Sequence, residues 1–278
     1  MMVAFRKFVS RFPLVTFFIL AYAISWSTVI PLHGSILPQG PAIAALIVLG
    51  VTTGRRGLAD LWRQITHWRV AWIWYLVAPG IVVAYFLLAL VASGLLGASI
   101  IDTAHLRSSS AVLPVIMMLL LFGGQWEEPG WSGFALPRLQ ERFASRPAGI
   151  LLASLILGAL RAGWHLPLVL YGAIPWYDAL LYSFAFQFLI TWLYNRTDRS
   201  VLIVMLFHLT SNITAGLVKP LYADSDWAQY TWLFIVFAWL IVFVILSRAG
   251  AGLGWRSGED RIVVDSTRTT GDTIADVG

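Results

Sequence analysis

Residues 111–140 read AVLPVIMMLLLFGGQWEEPGWSGFALPRLQ, an apolar run that ends at two adjacent glutamates, Glu127 and Glu128. The first sixteen of these residues carry no charge, which is typical of a helix within a lipid bilayer. An unpaired carboxylate in such surroundings costs several kcal/mol, so the pair predicts a functional site. Three polar side chains of other apolar segments are its candidate partners: His165, His208 and Asn212.

Composition independently indicates a membrane protein. Of the 278 residues, 59% are hydrophobic and 12% are charged, whereas charged residues make up about 25% of soluble domains. Fourteen tryptophans and nine tyrosines fit aromatic belts at two lipid–water interfaces. The chain has no cysteine, which excludes disulfides, cysteine nucleophiles and cysteine metal ligands. Its net charge of +5 comes from basic residues dispersed among short loops, so nucleic acid is not an expected partner.

Eight apolar segments recur along the chain, each approaching the length needed to cross about 30 Å of hydrocarbon. The predicted spans are 13–30, 37–53, 71–97, 108–126, 148–170, 176–194, 200–219 and 230–247. No small-residue cleavage site follows the first segment, so we expect an uncleaved helix rather than a signal peptide. The predicted fold class is an all-α membrane protein, a bundle of about eight transmembrane helices with an intramembrane polar cavity.

The distribution of basic residues predicts the orientation in the membrane. With the N-terminus inside, sixteen of the 19 lysines and arginines fall in inner segments, Arg107 and Lys219 fall in outer loops, and Arg161 lies within a span. This asymmetry follows the positive-inside rule and predicts that both termini are cytoplasmic. We expect a multi-pass protein of the cell membrane, the inner membrane of a bacterium, with membrane lipids as partners.

The sequence divides into three predicted regions. Residues 1–107 contain the first three spans and a basic, amphipathic cytoplasmic loop (54–70) that we expect to lie on the inner leaflet. Residues 108–247 form the predicted catalytic membrane domain. Residues 248–278 are polar and predict a disordered cytoplasmic tail. No internal repeat of fixed period is apparent, which disfavours a transporter built from repeats.

Three segments carry the candidate chemistry: WEEPGWSGFALPRLQ (126–140), RAGWHLPL (161–168) and FHLTSN (207–212). His208 and Asn212 are four residues apart, so they share one helix face and can donate hydrogen bonds toward one point, as an oxyanion site requires. A buried glutamate with a neighbouring imidazole can deprotonate a water molecule. Alternatively, Glu127, His165 and His208 could bind Zn²⁺, which lowers the pKa of a bound water to about 7. The zinc-protease signature His-Glu-x-x-His is absent from the sequence.

These segments resemble the motifs of the CPBP family, which comprises CAAX prenyl endopeptidases and the related bacteriocin-processing (Abi) intramembrane proteases. The family's motifs are Glu-Glu-x-x-x-Arg, Phe-x-x-x-His and His-x-x-x-Asn/Asp, in that order. The resemblance covers about residues 110–220. It implies an intramembrane endopeptidase that acts on a hydrophobic, prenylated or bacteriocin-like peptide or protein. The catalytic residues that it implies are Glu127, Glu128, His165, His208 and Asn212.

Two positions depart from the family's pattern. The arginine expected four residues after Glu128 is Ser132, and the aromatic residue expected four residues before His165 is Arg161. An unpaired arginine in the apolar interior costs about 2.5–3.5 kcal/mol on insertion scales. We therefore hypothesise that Arg161 replaces the missing cation and pairs with Glu128 or Glu127 as a supporting charge. The alternative is drift toward an inactive pseudoenzyme.

Ser132 also creates the tetrapeptide Gly130-Trp131-Ser132-Gly133, which resembles the Gly-x-Ser-Gly of rhomboid serine proteases. In that hypothesis His165 or His208 would activate the serine. The favoured interpretation instead makes Glu127 the general base, with His165 assisting and His208 and Asn212 stabilising the oxyanion. Non-enzymatic alternatives are an inactive CPBP-like peptide-binding or immunity factor and a small-molecule transporter.

Straight helices would separate the candidate site residues. His208 would lie ~12 Å and His165 ~25 Å from the inner boundary, at which Glu127 would lie. We therefore expect one of two arrangements: the fifth helix starts inside the cytoplasm, or the segment 129–142 folds back into the membrane. In either case Pro129 and Pro137 are the expected helix breaks.

Overall fold

The computed structural model describes residues 2–101, 103, 106 and 109–255, and these residues form helices and connecting turns without any β-strand. The predicted outer residue Arg107 and all but the first few residues of the predicted tail lie outside the described residues. The α-helices are α1 (Met2–Arg11), α2 (Pro13–Trp26), α3 (Gly40–Thr52), α4 (Gly54–Ile65), α5 (Trp74–Leu95), α6 (Ser109–Phe122), α7 (Glu128–Gly130), α8 (Leu136–Phe143), α9 (Gly149–Trp164), α10 (Leu166–Leu170), α11 (Ser183–Arg196), α12 (Val201–Val218) and α13 (Asp224–Ala249).

All eight apolar segments of the sequence contain helices in the structure, and the predicted all-α membrane fold is confirmed. Within the described residues, three helical stretches are long and apolar enough to cross a bilayer: Trp74–Leu95, Val201–Leu221 and Asp224–Gly252. Helices α2, α3 and α9 are apolar but have 14, 13 and 16 residues. At 1.5 Å per residue these rise only about 20–24 Å. The number of eight spans and their orientation stay predictions.

Local sequence signals explain where the site-bearing helices begin and end. Ser200 caps α12, since its hydroxyl accepts a hydrogen bond from the Ile203 backbone N–H and donates one to the carbonyl of His67 at 2.7 Å. Helix α9 ends at Trp164, immediately before His165, because Pro167 cannot supply the backbone N–H that would continue it. His165 therefore lies at a helix end, whereas His208 lies inside α12.

The helices pack in pairs around a common core. Helix α2 lies against α3, α5 lies between α12 and α13, and α9 packs on α8 and α11. Large buried aromatic side chains, among them Phe17, Trp131 and Tyr85, fill the contacts between these pairs. The N-terminal helices thereby pack directly against the helices that carry His165 and His208.

The segment 124–143 is helical throughout but changes its winding three times. A 3₁₀ turn (Gly124–Glu127) leads into α7, a π-helical turn (Trp131–Ala135) follows, and α8 completes the segment. Pro129 and Pro137 each lie in the first turn of a new helical element, as expected of break positions. Residues 127–137 are all buried, against α3 and α12 among others. This burial supports the fold-back arrangement over a fifth helix that begins in the cytoplasm.

The basic region after α3 is a helix rather than a loop. Helix α4 buries Gly57 and Leu61, whereas Trp62 and, just beyond the helix, Trp68 are exposed. Its amphipathic character, read from the sequence, is therefore confirmed. That it lies on the inner leaflet stays a prediction.

Candidate active site

Glu127 and Glu128 lie inside the protein, and not at its edge. Glu127 ends the 3₁₀ turn and Glu128 begins α7, with exposed fractions of 5% and 0%. The segment that follows packs into the helix bundle and buries Glu127, whose depth in the membrane stays a prediction. A consequence is that both side chains need partners within the protein.

Glu128 is fully engaged by three polar groups. Its Oε1 accepts hydrogen bonds from Arg161 Nη2 at 2.5 Å and His208 Nδ1 at 2.7 Å, and its Oε2 accepts one from Ser132 Oγ at 2.5 Å. These three partners come from α9, α12 and the π-helical turn. The carboxylate therefore joins the three sequence segments that carry the candidate chemistry.

The hypothesis that Arg161 pairs with Glu128 is confirmed by this geometry. Arg161 is 2% exposed, and its guanidinium carbon also lies 5.8 Å from the ring centroids of both Trp131 and Phe186. Charge pairing and the faces of two aromatic rings together stabilise a buried cation. Ser132 occupies the position where the family has arginine, and it contributes a neutral hydrogen bond to the same carboxylate.

Glu127 has a different environment. Its Oε2 accepts one hydrogen bond, from the indole Nε1 of Trp131 at 3.1 Å. Its Oε1 points toward the space beside Gly124. A Cβ atom added to Gly124 would lie 2.5 Å from His208 Nε2, 2.9 Å from Glu127 Oε1 and 3.0 Å from Asn212 Nδ2. A carboxylate oxygen, an imidazole nitrogen and an amide nitrogen therefore converge on one point that only glycine leaves open.

The hydrogen-bond partners determine the tautomers of the two histidines. Glu128 accepts from His208 Nδ1, so that nitrogen carries the proton and the Nε2 of neutral His208 has a lone pair facing the convergence point. His165 Nδ1 lies 2.9 Å from the carbonyl of Arg161 and is protonated for the same reason. His208 can thus donate to an oxyanion only as an imidazolium, whereas neutral His208 accepts a proton.

Two cavities meet at this cluster. The aromatic cavity, of about 240 Å³, is named for five aromatic side chains among the residues that line it: Phe86, Tyr182, Phe186, Trp227 and Phe234. The aliphatic cavity, of about 400 Å³, lies on the side of residues 35–38 and α6. Both cavities are lined by the four candidate residues Glu127, His165, His208 and Asn212. All the predicted site residues therefore lie together, four of them on both cavities, Arg161 on the aromatic cavity alone and Glu128 behind them.

The residues do not fit the zinc alternative. Among the described residues, no group of three histidine, aspartate or glutamate side chains is arranged to hold a metal ion. The guanidinium of Arg161 already neutralises Glu128 Oε1, and His208 Nδ1 shares that same oxygen. A divalent cation next to this arginine would be repelled.

The serine hypothesis fails on geometry. Ser132 Oγ donates to Glu128 and forms no hydrogen bond with either His165 or His208 in the described part of the chain. Its hydroxyl is buried, with an exposed fraction of 0%, and it does not line either cavity. The serine is therefore a structural partner of the glutamate.

Sequence reasoning missed two residues of the site. Gly124 is the second residue of a Gly-Gly pair that precedes the glutamates, and Trp131 is one of fourteen tryptophans. The only available signal for Trp131 was its spacing, because it lies four residues after Glu127 and so one helical turn away. Nothing in the pattern indicates that Gly124 faces α12.

Comparison with known proteins matches the same part of the chain. Residues 107–214 match the family model described as type II CAAX prenyl endopeptidase Rce1-like. The resemblance to the CPBP proteases is thereby confirmed for this region. The matched residues 107–214 include every candidate site residue, from Glu127 to Asn212, together with both departures from the family pattern.

The chain is also similar to one curated relative. The CAAX prenyl protease 2 of Methanococcus maripaludis is 27% identical to this chain over 146 residues, which is 49% of this chain and 51% of the relative. The chain thus spans about half the length of this relative. No solved structure matches the chain.

Proposed function

We propose that this protein is a CAAX-type intramembrane endopeptidase in which Glu127 activates the attacking water. The observation that carries this proposal is the convergence of Glu127 Oε1, His208 Nε2 and Asn212 Nδ2 on the point beside Gly124. A proton acceptor, a second nitrogen base and an amide donor around one point are the groups that amide hydrolysis requires.

The two cavities favour cleavage within a chain over removal of a terminal residue. An endopeptidase must hold substrate on both sides of the scissile bond, and the aromatic and aliphatic cavities extend from the same four residues. A single closed pocket would suit an exopeptidase better. Substrate that passes from one cavity to the other would bring its backbone past Glu127.

The proposed reaction uses the side chains that line both cavities. Glu127 takes a proton from water as the water oxygen attacks the carbonyl carbon, and Asn212 Nδ2–H donates to the carbonyl oxygen as it gains charge. The protonated Glu127 then delivers the proton to the leaving nitrogen as the C–N bond breaks. His165 lines both cavities and assists this transfer. His208 accepts or returns a proton through Nε2, while its Nδ1–H remains bonded to Glu128.

Glu128 and Arg161 are positioning residues in this proposal. Glu128 orients the His208 ring through Nδ1 and is itself held by Arg161, so the pair fixes α12 relative to α9. A ring held by a charged hydrogen bond loses little orientational freedom during the reaction. The exchange of arginine from position 132 to position 161 preserves this function, which argues against a pseudoenzyme.

The substrate that we propose is a membrane-associated hydrophobic or lipidated peptide. The relative's name refers to a CAAX prenyl protease, and the aromatic walls of the cavity suit an apolar ligand. The long apolar helices would hold the protein in the membrane where such a peptide resides. Membrane lipids are its further expected partners.

The test is cleavage of a fluorogenic peptide library, prenylated peptides included, by the detergent-solubilised chain and two variants. Glu127→Gln should lower the rate by about 10²–10⁴-fold because it removes the base. Glu141→Gln is the matched control, since Glu141 lies on α8 with 58% of its side chain exposed, and its carboxylate forms an ion pair with Arg199. Equal rates for Glu127→Gln and wild type would overturn the proposal, as would the absence of cleavage by wild type.

A further inference from the structure

The aromatic cavity contains a carboxylate that the proposed reaction does not use. Asp178 lies in a π-helical turn (Asp178–Tyr182) between α10 and α11 and lines this cavity together with Glu127 and Arg161. It is partly buried. π-helical turns are rare and recur at functional sites, and this turn supplies both Asp178 and Tyr182 to the cavity wall.

Asp178 differs from the other charged groups of the cavity in having no partner. Arg161 is bonded to Glu128, and Glu127 accepts from Trp131. Across the described residues, the carboxylate of Asp178 forms no hydrogen bond and no ion pair. Lys219 influences it electrostatically but is exposed and forms no ion pair with it. An unpaired carboxylate among apolar groups is costly, so a partner supplied by a ligand would lower its free energy.

The aromatic side chains of the cavity also favour a cationic partner. Phe86 and Phe234 stack with their centroids 5.1 Å apart, and Tyr182 lies edge-on to Phe234 at 5.1 Å. Trp227 completes this side of the cavity. Aromatic faces attract cations through their ring quadrupoles, and a carboxylate adds the opposite charge. A cavity that combines aromatic rings with one carboxylate is suited to an ammonium or guanidinium group.

We propose that the aromatic cavity is a substrate subsite that binds a lysine or arginine side chain of the peptide near the scissile bond. The inference rests on the proposed function, because the cavity begins at Glu127, His165 and His208. Its volume of about 240 Å³ lies below the range of about 300–1,000 Å³ that is typical of sites for drug-sized ligands, and it suits a single long side chain. The methylene stem would lie along the rings and the charged end would reach Asp178. A free carboxyl terminus, in contrast, would be repelled from this cavity.

The experiment measures peptide binding rather than cleavage, so it does not depend on the assignment of the catalytic base. Each fluorescent apolar peptide carries one lysine, and the position of this lysine differs from one peptide to the next. A matched peptide has norleucine at the same position. Their Kd values are measured with the full-length Glu127→Gln chain in detergent. At one position, lysine should bind about tenfold tighter than norleucine. Asp178→Asn in the same background should remove that preference and leave the norleucine Kd unchanged.

Two control variants separate this inference from a structural role of Asp178. Asp224→Asn removes the same charge from the exposed first turn of α13, outside the cavity, and should keep the lysine preference. Lys219→Met should also keep or increase the lysine preference. Loss of this preference in the Lys219→Met variant would show that Asp178 interacts with Lys219 alone. The proposal is overturned if no position prefers lysine, if Asp178→Asn retains the preference, or if Asp178→Asn weakens both peptides equally. Failure of Glu127→Gln to lower cleavage would overturn the proposed base and leave this binding result standing.

Discussion

Glu127 and Glu128 are adjacent in the chain, but they face two different regions of the protein. The interior network consists of Glu128, Arg161, Ser132 and His208, in which every contact is a close hydrogen bond between buried groups. The cavity face consists of Glu127, His165, Asn212 and Gly124, in which Glu127 accepts one hydrogen bond, His165 donates one to the Arg161 carbonyl, and Glu127 Oε1 and Asn212 Nδ2 converge on the space beside Gly124.

The two regions differ in how fully the carboxylate is hydrogen-bonded. This difference indicates how a helix bundle can hold a reactive carboxylate. A fully satisfied carboxylate is stable and unreactive, since its lone pairs are occupied and its charge is neutralised. A partly satisfied one costs free energy but can accept a proton from water. We infer that the interior network supplies the rigidity that lets the cavity face remain open.

The largest expected effect comes from breaking the interior network at Arg161. Arg161→Met should lower the free energy of unfolding by about 3–5 kcal/mol, because it leaves the buried charge of Glu128 without its cation. Chemical denaturation in detergent, followed by circular dichroism, measures the change. Arg63→Met is the control, since Arg63 and its partner Asp60 are exposed and should contribute less than about 1 kcal/mol. Equal effects of the two substitutions would contradict the network.

A double variant tests whether an arginine at position 132 can replace Arg161. The double variant Ser132→Arg with Arg161→Phe places arginine and an aromatic residue where the family pattern has them. Position 132 is one helical turn from Glu128, so this arginine can reach the same carboxylate. A double-mutant cycle should give a favourable coupling of about 1–3 kcal/mol between the two substitutions. Strict additivity would show that the two arginine positions are not equivalent.

The next effect concerns the cavity face. Gly124→Ala should lower the cleavage rate by about 100-fold, because the new methyl group would displace His208 Nε2 and Glu127 Oε1 by several tenths of an ångström or more. The substitution should change stability little, since the clashing atoms border a cavity. Initial rates on the best library peptide measure it.

Gly216→Ala provides the matched control for Gly124→Ala. A Cβ at Gly216 would lie 3.5 Å from Val115 Cγ1 and 3.6 Å from Leu119 Cδ1, which are ordinary contacts. Because glycine inside α12 is less favourable than alanine, this variant should keep full activity and gain up to about 1 kcal/mol of stability. Comparable activity of the two alanine variants would mean that the convergence point is not the reaction centre.

The smallest effect is expected for Ser132→Ala. It removes one of three partners of Glu128 and should cost about 1.5 kcal/mol of stability, with cleavage within a few-fold of wild type. Cleavage rate and unfolding midpoint are measured on the same preparation. If Ser132→Ala abolished cleavage while the fold persisted, the serine would be a nucleophile and the division between the two regions would be wrong.

Much of the fold follows from the sequence because apolar length and periodicity are local properties. The eight apolar segments contain helices at nearly the predicted residues, and the motif order correctly groups Glu128, Arg161 and His208. The pairing of Arg161 could be predicted because a buried, isolated cation requires an anion. Glu128 lacks the arginine that the family pattern places at position 132.

The remaining features could not be predicted because they depend on tertiary packing. The changes of winding between Gly124 and Phe143 bury Glu127 in the interior of the protein, and no residue pattern indicates such a path. The openness of the space at Gly124 depends on the position of α12. The proton position on His208 also depends on packing, since only the contact with Glu128 indicates which nitrogen of the neutral ring carries the proton, and its oxyanion role stays a prediction.

We propose that Glu128 stabilises the fold, whereas Glu127 is the reactive carboxylate. The most direct test compares the free energies of unfolding of the Glu128→Gln and Glu127→Gln chains in the same detergent. Glu128→Gln should lose about 3–5 kcal/mol, because Arg161 is left buried without its anion, whereas Glu127→Gln should change by less than about 1 kcal/mol. Equal losses, or a larger loss for Glu127→Gln, would contradict the account.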